Sequence, residues 1–385
     1  MKVGFDIRPA LFNFAGIGRY VRELGVALTQ LEGGPFMEMF APSWRGGRSV
    51  PKDLVAGRHR MNRGFLPGRV ISQLHKLPKM DAGRFPAKVD VFHWTDFSCP
   101  TVRSCATVMT LHDAAFAVNP TFHGWETANL LDRVRHMLNK AEIVIVPSQP
   151  SCNDAELMGV EPEQVRVIPH GVAPHFQPPS EPMDEDYLLS IGTMEPRKNY
   201  VRTLKAFEYV WDRDLAPDWV IVGAEGWDHE EFRRLMETSR HRKRIRWIQN
   251  ANDQDLVKLY QGAMALVHSS LHEGFGLPVL EAMATKTAVV ASSGTSAEWV
   301  AGDACMRVDP RSVDSIAEGI ERIVSEDWWR NHAAAVLHRR AQDFTWERSA
   351  KQTAEAYADA IKRYAAKLNG IAKPTDTHCD SRKKS

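Results

Sequence analysis

The chain has 385 residues, a net charge of +1, and 43% hydrophobic against 25% charged residues. This balance is typical of a globular protein, and the length suits two domains better than one. A net charge near zero excludes the basic footprint of a general nucleic-acid-binding protein, so no nucleic-acid partner is expected. The longest apolar runs, such as 141–147, are far too short to span a bilayer.

Cysteine usage and the start of the chain indicate the compartment. The five cysteines are scattered and form no C-x-x-C pair, so we expect reduced thiols and neither a disulfide framework nor a zinc site. No charged segment followed by an apolar run precedes the first predicted strand, so no signal peptide is expected. Together these features predict a cytoplasmic protein.

Short apolar runs rich in β-forming residues alternate with amphipathic helical stretches. The predicted strands are 3–7, 89–93, 107–111, 143–146, 165–168, 187–191, 219–222, 246–248, 265–268 and 288–291. The predicted helices include 18–31, 125–140, 200–210, 255–262, 278–284 and 346–368. This α/β alternation predicts parallel sheets with helices on both faces, and about ten strands form two sheets more readily than one.

A proline-rich stretch without periodicity marks the domain boundary. The predicted organisation is a domain at 1–173, a linker at 174–186, a domain at 187–345, a long helix at 346–368 and a polar tail at 369–385 that we expect to be disordered. The long helix carries an apolar stripe that includes Ala350, Tyr357 and Ile361.

The segment Trp44–Arg84 is compositionally unusual, with ten Lys or Arg residues against two acids. One interpretation is a solvated surface of loop and helix. The alternative is a basic patch that contacts anionic lipid or a phosphorylated acceptor.

Ligands of open α/β sheets bind beyond the carboxyl ends of the strands, so the residues after each strand are the candidates. After the first strand, Gly16 and Gly18 open a helix whose free N–H groups favour anions, although a structural turn would use the same glycines. After strand 107–111, His112 and Asp113 can place a polar group over a reacting sugar, or can simply cap a loop.

The segment Gly192–Asn199 follows strand 187–191 and precedes a helix. Arg197 and Lys198 lie at the positive end of the helix dipole, an unfavourable place for cations unless an anion binds there. An arginine fork and a compact lysine charge both suit a diphosphate.

The segment after strand 265–268 contains Glu273 and Glu281, eight positions apart and separated by a glycine-rich turn. A carboxylate accepts two hydrogen bonds from the cis-diol of a ribose or hexose. The loop N–H groups of Gly276 and Leu277 are suited to phosphate oxygens.

These stretches resemble retaining GT-B glycosyltransferases of glycosyltransferase family 4. Glu273–Glu281 resembles the E-x7-E motif, and Gly192–Asn199 resembles the phosphate-binding loop of the bacterial mannosyltransferase branch. The stretches 16–20, 111–113, 146–148, 167–172 and 301–303 also match in family order, so the resemblance covers residues 1 to about 350.

The resemblance implies two Rossmann-like domains facing across a cleft, with the C-terminal helix packing back on the N-domain. The implied catalytic residues are His112, Glu273, Arg197 and Lys198. The implied donor-binding residues are Gly16, Gly18, Gly192, Thr193, Arg197, Lys198, Glu273, Gly274, Phe275, Gly276, Leu277 and Glu281. In this assignment the cations neutralise the diphosphate, Glu281 holds the ribose, Glu273 holds the donor sugar, and His112 lies near the anomeric carbon.

Three positions depart from the family pattern. Thr193 stands where much of the family has arginine, and we expect Arg197 to supply that charge. Lys286 replaces a glycine that is usual after the E-x7-E helix, and 296–298 reads Ser-Ala-Glu instead of the commoner Leu-Pro-Glu. The last two lie near the expected nucleotide edge.

We expect neither a metal nor another cofactor. Three D-x-D triplets occur, at 184–186, 212–214 and 253–255, and we interpret all three as structural, with Asp253 as a helix N-cap. The cations and helix N-termini would then stabilise the leaving diphosphate.

The predicted function is transfer of a hexose, mannose from GDP-mannose first, to a saccharide acceptor with retention of configuration. A lipid-linked oligosaccharide of surface polysaccharide or O-antigen synthesis is the expected acceptor, with peripheral membrane contact through 44–84. The alternatives are a UDP- or dTDP-sugar donor, a nucleotide-sugar 2-epimerase, and a non-catalytic sugar-nucleotide-binding protein.

Overall fold

The computed structural model describes residues 1–12, 16–41, 54, 59–63, 81–84, 87–97, 100–119, 122, 127–181, 183, 186–227 and 229–370. These residues divide into two compact units. The first unit takes the described residues of Met1–Ala117, Ala128–Gly171 and Thr345–Ser385, and the second takes those of Val118–Thr127 and Val172–Phe344. Most of the basic segment 44–84, and the predicted tail from residue 371, lie outside the described residues.

The first unit is built on a parallel sheet of seven strands. The strands are β1 (Lys2–Asp6), β2 (Phe36–Ala41), β3 (Arg60–Arg63), β4 (Val91–Trp94), β5 (Ala106–Thr110), β6 (Ile143–Val146) and β7 (Val165–Val167). The helices are α1 (Arg8–Phe12), α2 (Ile17–Gln30), α3 (Ala115–Val118), α4 (Thr127–Leu138) and α5 (Ser151–Leu157). The strand order β3-β2-β1-β4-β5-β6-β7 reverses direction between β1 and β4, the point where such sheets bind ligands.

The second unit has the same plan with six parallel strands. They are β8 (Tyr187–Ile191), β9 (Asp218–Val222), β10 (Ile245–Ile248), β11 (Ala265–His268), β12 (Ala288–Ser292) and β13 (Met306–Val308). The helices are α6 (Tyr200–Trp211), α7 (Glu230–Thr238), α8 (Asp253–Gln261), α9 (Leu277–Ala284), α10 (Ser296–Ala301), α11 (Val313–Ser325) and α12 (Asp327–Ala341). The order β10-β9-β8-β11-β12-β13 places the reversal between β8 and β11.

The last helix, α13 (Trp346–Leu368), belongs to the first unit and confirms the predicted return of the C-terminal helix to the N-domain. Its buried Trp346 and Tyr357 join the apolar cluster on one face of the first sheet. Gly171 permits the close approach of the chain, because a Cβ there would lie 2.2 Å from the backbone nitrogen of Trp346.

The sequence analysis did not predict strands β2, β3 and β13, because each lacks a clear apolar pattern. The run of β2 is interrupted by Glu38, a buried carboxylate whose Oε1 lies 2.9 Å from the ammonium of Lys2. Met61 is the one apolar residue of β3, and β13 has only three residues. Edge strands such as β3 and β13 need little apolar surface, so tertiary pairing determines them.

Candidate functional site

The loop after β8 lies against the loop after β9 through backbone contacts that require glycine. The N–H of Gly192 donates to the carbonyl of Val222 at 2.9 Å, and that of Met194 donates to Ala224 at 3.0 Å. A Cβ on Gly223 would lie 1.9 Å from the carbonyl oxygen of Gly192. This contact determines the position of the loop after β8, which carries the predicted phosphate-binding residues.

Gly223→Ala is therefore expected to displace this loop. Overpacking against backbone costs about 1–3 kcal/mol or more of unfolding free energy, and the displacement should weaken nucleotide-sugar binding by about tenfold. Thermal unfolding and donor titration measure the two effects. Gly319→Ala, in α11, is the control. Its Cβ would lie 2.4 Å from a methyl group of Val308 and would not contact the loop after β8. Equal donor affinity in the two variants would contradict the expectation.

A single-turn helix, Pro196–Lys198, leads from this loop into α6 and ends at Asn199. Asn199 has a left-handed backbone with φ 63°. Its buried side-chain amide donates to the carbonyls of Ser269 at 2.9 Å and Pro310 at 2.7 Å. These bonds fasten the loop after β8 to the loop after β11, and so bring the two predicted motifs together.

The result is a buried ionic cluster centred on Glu273. Its Oε1 lies 2.5 Å from the ammonium of Lys198 and 3.1 Å from Nε2 of His268. Its Oε2 accepts from the guanidinium of Arg197 at 3.0 Å, and Nε of Arg197 also lies 2.6 Å from Glu195. Only 8% of Glu273 is exposed, so these charges interact in a medium of low polarity.

Burial and charge act in opposite directions on this cluster. Burial raises the pKa of Glu273, but the charges of Lys198 and Arg197 together outweigh it and hold that pKa well below its usual value. Burial lowers the pKa of His268, although Glu273 opposes this. The carboxylate is thus ionised and the imidazole neutral at pH 7. The stabilisation from the ionised carboxylate is present above the usual carboxyl range and is lost only as pH falls through the lower folded-state pKa.

The glycine-rich turn leads into α9 as predicted. Gly276 has φ 102° and occupies the N-cap of α9, where the helix begins with free N–H groups. Glu281 lies in the helix, is buried, and accepts a hydrogen bond from the hydroxyl of Tyr260 at 2.8 Å. The side chain of Phe275 packs edge-on against the ring of Phe344 in the core.

The departure at Lys286 has a backbone explanation. Lys286 follows α9 with φ 62°, a left-handed conformation in which glycine is favoured. This chain accepts the strain of a side chain at that position. Thr193, the other departure in the loops, is exposed beside Gly192.

The remaining predicted residues belong to the first unit. Gly16, with φ 52°, caps α2, and Gly18 is buried in the first turn of that helix. His112 follows β5 and its Nε2 lies 2.9 Å from the carbonyl oxygen of Thr95, after β4. Its ring also packs edge-on against Tyr20, with centroids 4.8 Å apart. Burial lowers the pKa of His112, so the ring is neutral at pH 7.

Sequence reasoning missed several residues of these sites. Glu195 and Asn199 lie within the segment Gly192–Asn199, and His268 ends a predicted strand, so their positions alone could have suggested them. Tyr260 and Tyr20 reach their partners only through folding, because the partners are distant in sequence.

Members of the D-x-D triplets at 212–214 and 253–255 have structural partners. Asp212 lies 2.6 Å from Nε2 of His241 and also pairs with Arg240. The prediction of Asp253 as an N-cap is wrong: Asn252 caps α8 and forms a capping box with Asp255, because Asn252 is the residue with the extended backbone. The described part of the chain contains no group of three or more His, Cys, Asp or Glu side chains placed to hold a metal ion.

Two further observations concern the described residues of both units. Cys105, Cys152 and Cys305 are buried free thiols. Among the described residues, no helix combines the length and apolar character needed to cross a membrane.

The chain is similar to known glycosyltransferases along most of its length. The sequence model described as Glycosyltransferase Family 4 matches residues 14–176, and that described as Glycosyl transferases group 1 matches 173–344. O-antigen chain mannosyltransferase B of Escherichia coli is 29% identical over 384 residues, a match that covers 93% of this chain and 99% of that protein.

Solved structures share the fold at low sequence identity. Sucrose-phosphate synthase from Thermosynechococcus elongatus superposes with a TM-score of 0.75 at 19% identity, covering 95% of this chain and 100% of that one. Anabaena HepE, in complex with UDP and glucose, superposes with a TM-score of 0.69 at 16% identity, covering 93% and 99%. Because the two family matches overlap at residues 173–176 and together span residues 14–344, the chain belongs to the family 4 glycosyltransferases of the GT-B fold.

Proposed function

We propose that this glycosyltransferase moves mannose from GDP-mannose to a saccharide acceptor, with retention of configuration and without a metal ion. The observation that carries the proposal is the buried cluster in which Arg197 and Lys198 share the carboxylate of Glu273. The similarity to an O-antigen mannosyltransferase supports the choice of sugar and a lipid-linked oligosaccharide of surface polysaccharide synthesis as acceptor.

The cluster suits an exchange of counter-ions. Without donor, Glu273 pairs with both cations and Glu195 also pairs with Arg197, so the two largely buried positive charges are balanced. An incoming diphosphate offers oxygens to the same cations, since an arginine fork and a lysine ammonium both bind phosphate well. We propose that the diphosphate replaces Glu273 in part, and that the freed carboxylate oxygens accept hydroxyl groups of the donor sugar.

The bond changes of the proposed reaction follow from this arrangement. The bond between C1 of the sugar and the diphosphate oxygen lengthens to an oxocarbenium-like state, and Arg197 and Lys198 stabilise the charge that develops on the diphosphate. The acceptor hydroxyl attacks C1 from the same face as the leaving group. Its proton passes to the leaving phosphate oxygen, so the new bond keeps the configuration of the old one.

The other predicted residues take supporting roles in the proposal. Glu281 binds the ribose hydroxyls, with Tyr260 holding its Oε2 in place. The N–H groups at Gly276 and Leu277 bind phosphate oxygens. His112 contacts the transferred sugar.

A second donor is favoured by one specific finding. HepE, which shares the fold, is in complex with UDP and glucose, so UDP-glucose is the runner-up. A dTDP-sugar remains the third candidate. Nucleotide discrimination in the proposal depends on 296–298, at the start of α10, which departs from the family pattern.

We also propose a cytoplasmic enzyme that works peripherally at the inner face of a membrane. The free thiols of Cys105, Cys152 and Cys305 support a reducing compartment. The basic composition of Trp44–Arg84 supports contact with anionic lipid.

A donor panel tests the proposal directly. GDP-mannose, UDP-glucose and a dTDP-hexose are each incubated with the protein and a lipid-linked mannoside, with and without EDTA, and the product is analysed by NMR. We expect transfer from GDP-mannose, an α-linked product, and equal rates with EDTA. Transfer only from another nucleotide sugar would contradict the donor assignment. A β-linked product would contradict retention of configuration, and a loss of rate in EDTA would contradict metal independence. Release of a free epimer without acceptor would identify an epimerase.

A further inference from the structure

A continuous chain of buried hydrogen bonds crosses the first unit and ends beside His112. The hydroxyl of Tyr357, on α13, lies 2.8 Å from Nδ1 of His93. Nε2 of His93 lies 2.8 Å from the hydroxyl of Thr110, which in turn lies 2.8 Å from the hydroxyl of Tyr20. The chain thus joins the C-terminal helix to β4, β5 and α2.

The groups in this chain remain neutral at physiological pH. Burial lowers the pKa of His93 to about 3, so its imidazole donates one hydrogen bond and accepts one. Burial raises the pKa of Tyr20 and of Tyr357, so both keep their protons. A buried chain of neutral, fully paired groups holds its members in one geometry, because breaking any bond leaves a polar atom without a partner.

The protonation of His112 follows from its own contact. A backbone carbonyl only accepts hydrogen bonds, so the bond to Thr95 requires the proton on Nε2 of His112. In the neutral ring Nδ1 is then an acceptor, suited to a sugar hydroxyl.

The ring of Tyr20 limits how His112 can turn about its bond to Thr95. The two rings are nearly perpendicular, at 83°, with centroids 4.8 Å apart. The ring of Tyr20 also packs against the rings of His170 and of Trp346 on α13, with centroid distances of 4.6 and 6.1 Å. Only 3% of Tyr20 is exposed, so the ring is enclosed by the close-packed interior and its position is constrained by these neighbours.

We infer that Tyr20 is a positioning residue for His112, and that the chain Tyr20–Thr110–His93–Tyr357 holds it in place from the C-terminal helix. The inference rests on the proposed role of His112 at the transferred sugar. It assigns to α13 a function in the reaction beyond packing. A shift of the imidazole by a fraction of an ångström impairs the reaction more than it impairs binding.

The test uses Tyr20→Phe, Tyr357→Phe and the double variant, which remove hydroxyls and keep the rings. Each single variant is expected to lower kcat by about tenfold with donor KM within about twofold. The double variant should be no slower than the slower single variant, because both changes break one chain. Tyr364→Phe, on the same helix, is the control: it loses a bond from its hydroxyl to the carbonyl of Arg103, outside the chain, and should keep kcat within about twofold.

Thermal midpoints of all four variants show whether a rate change merely follows stability. Three results would overturn the inference. One is a fall in kcat that the control shares when its loss of stability is equal. The others are a normal kcat in Tyr357→Phe and a fall in the double variant that equals the product of the two single effects.

A second measurement separates this inference from the proposed function. NMR of 15N-labelled imidazoles, with His112→Gln for assignment, reports the Nε2–H of His112 and its exchange with solvent. We expect a protected Nε2–H in the wild type and Tyr364→Phe, and faster exchange in Tyr20→Phe and Tyr357→Phe. Unchanged protection would overturn the inference even with transfer intact, whereas a protein that transfers no sugar yet shows the expected exchange would contradict the proposed function alone.

Discussion

Glu273→Gln should lower kcat by about 10²–10³-fold, since it removes the charge that positions two cations and, in the proposed mechanism, binds the donor sugar. The substitution keeps the shape of the side chain. It leaves the largely buried Lys198 and Arg197 without their shared carboxylate, at a cost of about 3–5 kcal/mol in unfolding free energy. Bound diphosphate supplies a replacement charge, so donor should raise the thermal midpoint of the variant more than that of the wild type.

Steady-state rates and thermal unfolding with and without donor measure these effects. Glu321→Gln is the matched control, because Glu321 pairs with Arg213 at an exposed position outside the site and its loss should cost little. A kcat within threefold of the wild type would remove Glu273 from the proposed mechanism, and an equal response of both proteins to donor would contradict the exchange of counter-ions.

The second large effect is expected from Lys198→Met, which removes the charge and keeps much of the apolar stem. We expect kcat/KM to fall by about 10²–10³-fold, because in the proposed mechanism the developing charge on the diphosphate loses one of its two cations. The variant should also alter the pH profile. Burial raises the pKa of Glu273, and without Lys198 only Arg197 and His268 oppose it, so the carboxylate becomes protonated at higher pH than in the wild type.

The acid limb of kcat/KM in Lys198→Met is therefore expected to move toward neutral pH. Lys205→Met provides the control, because Lys205 is exposed on α6 and should be replaceable without effect on either quantity. A profile of wild-type shape with unchanged donor KM would show that Lys198 neither binds the diphosphate nor controls Glu273.

Much of the fold is accessible from local patterns. The strands β6, β8 and β11 begin and end where apolar runs and turn residues predicted, because buried parallel strands are continuously apolar. Helix α13 also matches its predicted limits, since Thr345 caps it and its apolar stripe is regular. The strands β2, β3 and β13 were missed because pairing with a neighbour, and not local composition, determines them.

The residues of the candidate site could also be predicted in part from local patterns. The chemical groups that interact in the second unit, Arg197, Lys198 and Glu273, were all predicted, because each follows a strand at the ligand edge of its sheet. Their pairing was not predicted. It depends on Asn199, whose amide joins two loops about 70 residues apart in sequence.

The sequence by itself determined the class of protein, the two parallel-sheet units and the identity of the charged groups, since these depend on residue type and local spacing. Only the tertiary structure decided which charges neutralise one another, which tautomer His112 adopts, and that Tyr357 is connected to Tyr20 through His93 and Thr110. Hydrogen bonds and ion pairs require atoms to approach within about 3 Å, and residues hundreds of positions apart reach that distance only through the packing of the whole unit.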